Sequence, residues 1–334
     1  MSLTKIAIFG ASGQLGQRIV DALLECEKQT FNVLAVIPPG SLEPPVPAKQ
    51  NYKCVQIDLL NASPDQLQKE LNDVDAVVSA FNGKALDSQP MIQDAAASAG
   101  VKRFYPSEYG FHQLYRKPGS DWGYLHPLWD MKEQLIEKAL HHPAIDSGRM
   151  SYTVIGCGDF YNQDREKIWC PWTQRDPDGG EYTLHVVGSP DAKADYTHID
   201  DFASFLVATL REPAKSENAH LNYVSDTISN KEIAALLEKY TGKKAKFKTY
   251  SDDDQHSIVK QPDTAPKELQ EGSAFPVDFW FLVKGAQGQG RFRRPKGEVH
   301  NHLFPDVKPT TFDDYLQKQH VDSVEWEEMH GPAR

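Results

Sequence analysis

Three glycines near the start of the chain have the spacing of a phosphate-binding turn. Gly10, Gly13 and Gly16 follow the mostly apolar segment Lys5–Phe9 and open a segment with helical spacing over residues 14–26. The first glycine permits a tight turn, the second lets the backbone approach a pyrophosphate, and the third lets helix and strand pack closely. Phosphate oxygens then accept hydrogen bonds from the N–H groups of the helix start. The pattern therefore predicts a dinucleotide site.

A lysine on an apolar helix face is the second group that could do chemistry. In the predicted helix Pro127–Leu140, Lys132 falls near the middle of the apolar face, one turn from Leu128 and from Ile136. Burying an unpaired ammonium is costly, and burial lowers its pKa, which suits a proton donor. The alternative is that the stem packs while the ammonium reaches water. The residues alone leave both interpretations open.

Other reactive side chains do not form a recognisable constellation. A Tyr-x-x-x-Lys string at residues 240–244 lies near a predicted helix end, and we interpret it as chance. His300 and His302 have no carboxylate or cysteine at ligand spacing, and the acidic run at residues 252–254 lacks the Gly and Glu of a calcium loop. We therefore predict no metal site and a solvated turn at residues 252–254.

The end of the second predicted strand bears on which dinucleotide binds. Strand Asn32–Ile37 is followed by proline, with no Asp or Glu to hold a ribose 2′-hydroxyl and no Arg to hold a 2′-phosphate. This argues against NAD and leaves the case for NADP incomplete. Ser41, Lys49 and Lys53 are candidates for a 2′-phosphate. Residues 38–47 contain five prolines and predict a stiff, extended loop.

The elements that must position these groups alternate through the first half. Strands are predicted at Lys5–Phe9, Asn32–Ile37, residues 54–57, residues 76–80, Arg103–Tyr105 and residues 152–155, with helices at residues 14–26, residues 89–99 and Pro127–Leu140. Short apolar strands separated by helices predict a parallel sheet covered on both faces. The second half is less regular, with a strand at Tyr182–Val187, helices at residues 200–210, 230–240 and 311–319, and a mobile surface loop at residues 285–297.

Several local motifs carry a resemblance to a known family. They are the segment Pro-Ser-Glu-Tyr-Gly at residues 106–110, Lys132 on its helix, and the tail Phe-Pro-Asp-Val-Lys-Pro-Thr-Thr at residues 304–311. The chain resembles the isoflavone reductase-like branch of the NmrA-like atypical short-chain dehydrogenases, with fungal members the most similar. The resemblance covers nearly the whole chain.

The resemblance implies an α/β fold, with a doubly wound, mostly parallel Rossmann sheet and a smaller C-terminal α+β substrate domain. The first domain would span residues 1–157 and the second residues 158–334, with residues of about 195–225 returning to the Rossmann core. It also implies NADP(H) in the cleft between them and Lys132 as the catalytic residue.

The site residues follow from these assignments. For the cofactor we predict contacts from Gly10, Ser12, Gly13, Gln14, Leu15, Ile37, Asp58, Ser79, Ala80, Phe81, Pro106, Ser107, Lys132, Cys157 and Gly158. For the substrate we predict contacts from Glu108, Tyr109, Phe111, Phe160, Tyr161 and Trp280, because ligand pockets in open α/β sheets lie outside the carboxyl ends of the strands.

Three functions remain open. The first is NADPH-dependent reduction of a small aromatic or heterocyclic metabolite, with hydride transfer to C=O, C=C or C=N assisted by Lys132. The second uses the same cleft for imine formation, cyclisation or isomerisation. The third is an NADP-sensing regulator without catalysis, but regulators of that kind lack the catalytic lysine.

Composition restricts the partners. Asp and Glu outnumber Lys and Arg by 47 to 36, and a net charge of −11 does not favour nucleic acid or an anionic membrane surface. No apolar run approaches the roughly 20 residues that span a bilayer. The four scattered cysteines predict reduced thiols, and the first strand leaves no room for a signal peptide. We expect a cytoplasmic monomer or homodimer with a small-molecule substrate.

Overall fold

The centre of the molecule is a sheet of seven parallel strands. The computed structural model describes residues 2–44, 46, 51–110 and 127–322. The spatial order of the sheet is β10-β6-β5-β4-β1-β2-β3, and all six pairings are parallel. Its strands are β1 (Lys5–Phe9), β2 (Asn32–Ile37), β3 (Tyr52–Gln56), β4 (Ala76–Ser79), β5 (Arg103–Tyr105), β6 (Ser151–Cys157) and β10 (Ala219–Tyr223). Strands β2 and β3 are added on one side of β1, and β4, β5 and β6 are added on the other side. Open parallel sheets bind ligands in the crevice at such a switch in strand order, which here lies between β1 and β4.

Helices cover both faces of this sheet. They are α1 (Gln14–Leu24), α2 (Pro64–Glu70), α3 (Gln89–Ser98), α4 (Pro127–Leu140), α5 (Pro143–Asp146) and α6 (Ile199–Arg211). On one face, Ile19 of α1 and Phe205 of α6 share a core with strand residues. On the other, Leu67 of α2 and Ile92 of α3 do the same. Strands β1, β2, β4, β5 and β6 are largely buried, which explains their apolar runs. The predicted doubly wound α/β fold is confirmed.

A buried arginine joins the central strands. Arg103 of β5 is fully buried, and its guanidinium donates to Thr153 Oγ1 at 3.0 Å and to Ser216 Oγ at 3.2 Å. It also donates to Ser151 Oγ at 2.5 Å. Because buried polar groups are costly unless they are hydrogen-bonded, these bonds tie β5 to β6 and to the segment before β10.

The chain leaves the large sheet after β6 and later returns to it. A three-stranded sheet contains β7 (Asp159–Phe160), β9 (Lys193–Thr197) and β11 (Asp226–Ser229), and a parallel pair contains β8 (Tyr182–Val187) and β12 (Ala245–Tyr250). Between these strands, α6 packs along α1 and β10 pairs with β6. The domain boundary at residue 157 stays a prediction.

The remaining helices surround a separate aromatic core. They are α7 (Asn230–Thr241), α8 (Asp252–Lys260), α9 (Lys267–Glu271), α10 (Val277–Gly288) and α11 (Phe312–Gln317). The core includes Trp172, Tyr182, Leu237, Phe281 and Phe312. Within the described residues, no helix combines the length and apolar character that crossing a membrane requires.

Two predictions for this half were wrong. Residues 285–288 are the buried end of α10 and not part of a mobile loop. Their glycines permit close packing, because a Cβ at Gly288 would collide with the Val187 carbonyl and one at Gly285 with the Gln255 side chain. Residues 252–254 are exposed, but they form the first turn of α8 and not a separate turn, since Ser251 and Asp254 form a capping box.

Candidate active site

The glycine turn is built by close backbone approaches. Gly10 has a φ of +82°, and a Cβ there would lie 2.5 Å from the Ala80 carbonyl oxygen. A Cβ at Gly16 would lie 2.8 Å from the Gly10 carbonyl carbon and 2.9 Å from the Ala11 Cα. Helix α1 begins after Gly13 without a side-chain cap. The turn therefore fits a dinucleotide, because the first backbone N–H groups of α1 face the space that a pyrophosphate would fill.

The loops after β4 and β5 are fastened to each other. Ser107 Oγ donates to the Phe81 carbonyl at 2.7 Å and accepts from Phe81 N at 3.1 Å. The Ser107 N–H donates to Gln89 Oε1 at 2.8 Å. Since Pro106 and Ser107 are buried, these bonds hold the two loops together at the carboxyl end of the sheet.

Tyr109 has a left-handed backbone conformation, and the carbonyl of the residue before it contacts Lys132. Tyr109 has a φ of +47°, a conformation that costs a non-glycine residue roughly 1–2 kcal/mol. Its N–H donates to the Ile155 carbonyl at 3.2 Å, and its ring meets the edge of Phe202 with centroids 5.0 Å apart. In this arrangement the Glu108 carbonyl accepts from Lys132 Nζ at 2.6 Å. The backbone strain therefore accompanies a specific contact to the lysine.

Lys132 lies on α4 as the helical pattern predicts. Leu135, Ile136 and Ala139 of the same helix are buried, and Lys132 itself is partly buried. Burial lowers the pKa of Lys132 below the ordinary 10.5, and the negative charge of Glu108 opposes that shift. The ammonium is held by a backbone carbonyl at the wall of a cavity, where a proton donor could reach a ligand.

One cavity of about 370 Å³ extends from the glycine turn to an aromatic end. The turn contributes Gly13, Gln14, Leu15 and Gly16, and the loops after the strands contribute Ala80, Phe81, Asn82, Glu108, Tyr109, Gly110, Gly158, Asp159 and Phe160. The aromatic end contains Trp129, Trp169, Phe275, Phe279 and Phe292, together with Gln163, Ile199 and Val283. Lys132 also lines this cavity. Its size and mostly apolar lining fit a small organic ligand.

The other predicted cofactor residues surround the turn or end the strands. Gly10 lies within the turn and Ser12 is exposed on it, while Ile37, Ser79 and Cys157 are buried at the ends of β2, β4 and β6. Gly158 N donates to Thr197 Oγ1 at 2.8 Å. Asp58 follows β3 and accepts from Leu60 N at 3.1 Å. Lys53 pairs with Glu70 at 2.9 Å in the first half of β3, and Lys49 lies outside the described residues.

Two substrate predictions need correction. Tyr161 stacks on Phe312 with centroids 4.3 Å apart and donates to the Thr310 carbonyl at 2.8 Å. Trp280 packs against His185 and Tyr250. Both side chains belong to the aromatic core and not to the cavity wall. Phe111 lies outside the described residues.

Most of the aromatic end is not predicted from the sequence. Only Phe275 and Phe279, four residues apart, are close in the chain, and Trp129, Trp169 and Phe292 come from separate segments. On α10 the residues that line the cavity are Phe279 and Val283, one turn apart, and not the predicted Trp280. Asp159 could have been predicted as a site residue, because it follows Gly158 directly after the end of β6.

A family comparison agrees with this architecture. The sequence family described as NmrA-like matches residues 2–316. The chain belongs to the NmrA-like family. The resemblance predicted from the local motifs is confirmed.

Relatives of this NmrA-like chain include named reductases and dehydrogenases. Phenylcoumaran benzylic ether reductase TP7 of Nicotiana tabacum is 26% identical over 320 residues, covering 94% of this chain and 97% of the relative. Asnovolin J 5′,6′-dehydrogenase nvfM of Aspergillus novofumigatus is 25% identical over 325 residues, covering 94% of each. The leucoanthocyanidin reductase–NADPH complex of Vitis vinifera has a TM-score of 0.69 at 17% identity, covering 95% of this chain and 99% of that one.

Proposed function

We propose that this chain is an NADP(H)-dependent oxidoreductase that reduces a small aromatic or heterocyclic metabolite, with Lys132 as the proton donor. The observation that carries the proposal is the single cavity that joins the glycine turn, Lys132 and the aromatic end. The relatives of this chain include a benzylic ether reductase and a dehydrogenase from a fungus, and a structural neighbour contains NADPH.

The chain supplies binding and orientation for the cofactor. In this proposal the N–H groups after Gly13 hold the pyrophosphate, and Phe81, Ser107 and Gly158 border the nicotinamide end of the crevice. NADPH, when bound, supplies a hydride to a carbon of a C=O, C=C or C=N bond. The aromatic end orients that bond and excludes water from it.

Lys132 then delivers the proton that the reduced atom requires. A partly buried lysine with a lowered pKa has a proton that is easier to transfer than that of an exposed lysine. The Glu108 carbonyl, 2.6 Å from Nζ, fixes the side chain toward the cavity. General acid catalysis of this kind contributes about 10²- to 10⁴-fold to a rate.

The experiment combines cofactor titration with a matched pair of variants. NADPH and NADH are titrated by fluorescence, and NADPH oxidation is followed with a panel of aromatic ketones, enones and imines. Lys132→Ala should lower turnover by about 10²-fold or more and leave the Kd for NADPH within about twofold. Lys138→Ala, on an exposed position of the same helix, should change neither quantity.

Three results would count against the proposal. They are near-parental turnover by Lys132→Ala, binding of NADH as tightly as NADPH, and conversion of a substrate without consumption of NADPH. The last result would favour imine formation, cyclisation or isomerisation in the same cleft.

A further inference from the structure

A buried ion pair lies behind the aromatic end of the cavity. Asp159 Oδ2 accepts from Lys284 Nζ at 3.0 Å and from Gln287 Nε2 at 2.7 Å. Trp169 Nε1 donates to both carboxylate oxygens, at 2.8 Å to Oδ1 and 2.9 Å to Oδ2. Asp159 is 9% exposed and Lys284 is 6% exposed. This cluster plays no part in the proton transfer proposed for Lys132.

A contribution to stability does not by itself explain why this ion pair is buried here. Removing two charges from water costs about as much as their attraction returns, so well-packed apolar side chains often serve equally well. The cluster has a defined orientation instead. Asp159 lines the cavity, and Lys284 lies outside the set of described residues that line it. The negative end of the pair therefore faces the ligand.

The carboxylate retains capacity to accept a hydrogen bond. An ionised carboxylate offers about four acceptor sites over its two oxygens. Among the described residues, Oδ2 accepts hydrogen bonds from Lys284, Gln287 and Trp169. Within the same set of residues, Oδ1 accepts a hydrogen bond from Trp169 only. A donor on a ligand in the cavity can therefore bond to Oδ1.

The rings beside Asp159 favour an aromatic ligand. Trp169 lies 5.2 Å from Phe275 and 6.0 Å from Phe279 between ring centroids, and Trp129 lies 5.6 Å from Phe279. Lys284 Nζ stands 5.0 Å from the centroid of the Trp169 ring. Because Lys284 neutralises the carboxylate, the cluster has no net charge to offset the cost of burying a second cation, so it favours a neutral donor over a charged amine.

We propose that Asp159, oriented by Lys284, Gln287 and Trp169, is a specificity-determining residue that accepts a hydrogen bond from a phenolic O–H or heterocyclic N–H of a planar aromatic substrate. The inference rests on the proposed function and narrows its substrate class. In this arrangement one end of the substrate bonds to Asp159 and the other reaches Lys132.

The test compares pairs of ligands, and the first pair differs in one hydrogen-bond donor. Calorimetric titration of the full chain, with and without NADP⁺, measures the Kd for 2-naphthol and for 2-methoxynaphthalene. The parent should bind 2-naphthol about tenfold or more tightly, as expected for a hydrogen bond to a charged group. 2-Naphthylmethanol should likewise bind more tightly than 2-naphthylmethylammonium.

A double variant removes the acceptor while keeping the shape. In D159N/K284M, the Asn oxygen can accept from Trp169 and Gln287, so its N–H₂ group faces the cavity in place of the carboxylate. The preference for 2-naphthol should disappear. The control D191N/K231M neutralises an exposed pair joined at 2.9 Å and should retain it.

The outcomes separate this inference from the function proposed above. Equal binding of the two naphthalenes by the parent would overturn the inference whether or not the double variant folds. A preference that survives in folded D159N/K284M would also overturn it. Neither result bears on NADPH binding or on the loss of turnover in Lys132→Ala, whose failure would count against the proposed function alone.

Discussion

At the scale of single residues, the chemistry of the site depends on how burial changes the pKa of each side chain. Lys132 Nζ lies against the Glu108 carbonyl, and the loss of water around the ammonium lowers its pKa. Cys157, buried nearby, shows the converse, because burial raises the pKa of its thiol to about 12. The same physical cause therefore makes the lysine a better acid and keeps the thiol protonated.

The pH dependence of turnover follows from the shift in Lys132. Only the protonated lysine can donate, so kcat should fall as pH rises through its pKa. Since burial disfavours the charged form, the midpoint of this alkaline limb should lie below 10.5. The measurement is a pH profile of kcat under saturating NADPH and substrate.

An arginine variant provides the control for this profile. The guanidinium of Lys132→Arg stays protonated throughout the accessible range. Its turnover should therefore be reduced and should lack the alkaline limb. An unchanged limb in Lys132→Arg would assign the titration to another group.

At the scale of elements, helix α1 and the loop after β4 meet at the glycine turn. Gly10 approaches Ala80, and Gly16 approaches Gly10 and Ala11, so the helix starts within the crevice. The turn places backbone groups and not side chains where the cofactor's phosphates would lie. Its geometry is accordingly sensitive to a single methyl group.

We predict that Gly16→Ala displaces the start of α1 and weakens NADPH binding by about tenfold or more, the equivalent of roughly 1.4 kcal/mol. The new Cβ would meet backbone atoms that cannot rotate away. Gly297→Ala is the matched control, since a Cβ there would have no atom within 4 Å. Fluorescence titration gives both values of Kd, and equal values would contradict the close approach at Gly16.

The first half of the fold could be predicted because most of its strands, β3 excepted, are short apolar runs that are largely buried. The second half lacked that signal. Alternation alone located β8 there, whereas β7 has only two residues, and the glycines that end α10 suggested a loop although they pack against β8 and α8. Lys132 could be found because a helix repeats every 3.6 residues. The aromatic end could not, because only tertiary packing brings Trp169 near Phe275.

At the scale of the whole molecule, one carboxylate joins three distant segments. Asp201, in the first turn of α6, is 6% exposed. Its Oδ2 accepts from Ser225 Oγ and from Thr310 N, each at 2.6 Å, and its Oδ1 accepts from Thr310 Oγ1 at 2.8 Å. The C-terminal segment is thereby fixed against the helix that covers the large sheet.

We expect Asp201→Ala to lower the free energy of unfolding by about 3 kcal/mol, because it leaves buried donors without an acceptor. The neighbouring Asp200→Ala removes an exposed contact to Arg18 at 3.3 Å and should cost less than about 1 kcal/mol. Urea denaturation at pH 7 measures both. Similar losses in the two variants would show that the buried carboxylate does not join these segments.

The late return of β10 to the large sheet has a consequence for biosynthesis. The Tyr152 amide of β6 bonds to Asn218, 66 residues farther along the chain. At a typical elongation rate the ribosome needs on the order of seconds to make that interval. Throughout it, the nascent β6 presents an unpaired edge, the kind of surface on which chains aggregate. In refolding of the full chain the same long separation should also delay this pairing, so pulse-labelled hydrogen exchange should find the β10 amides among the last to be protected.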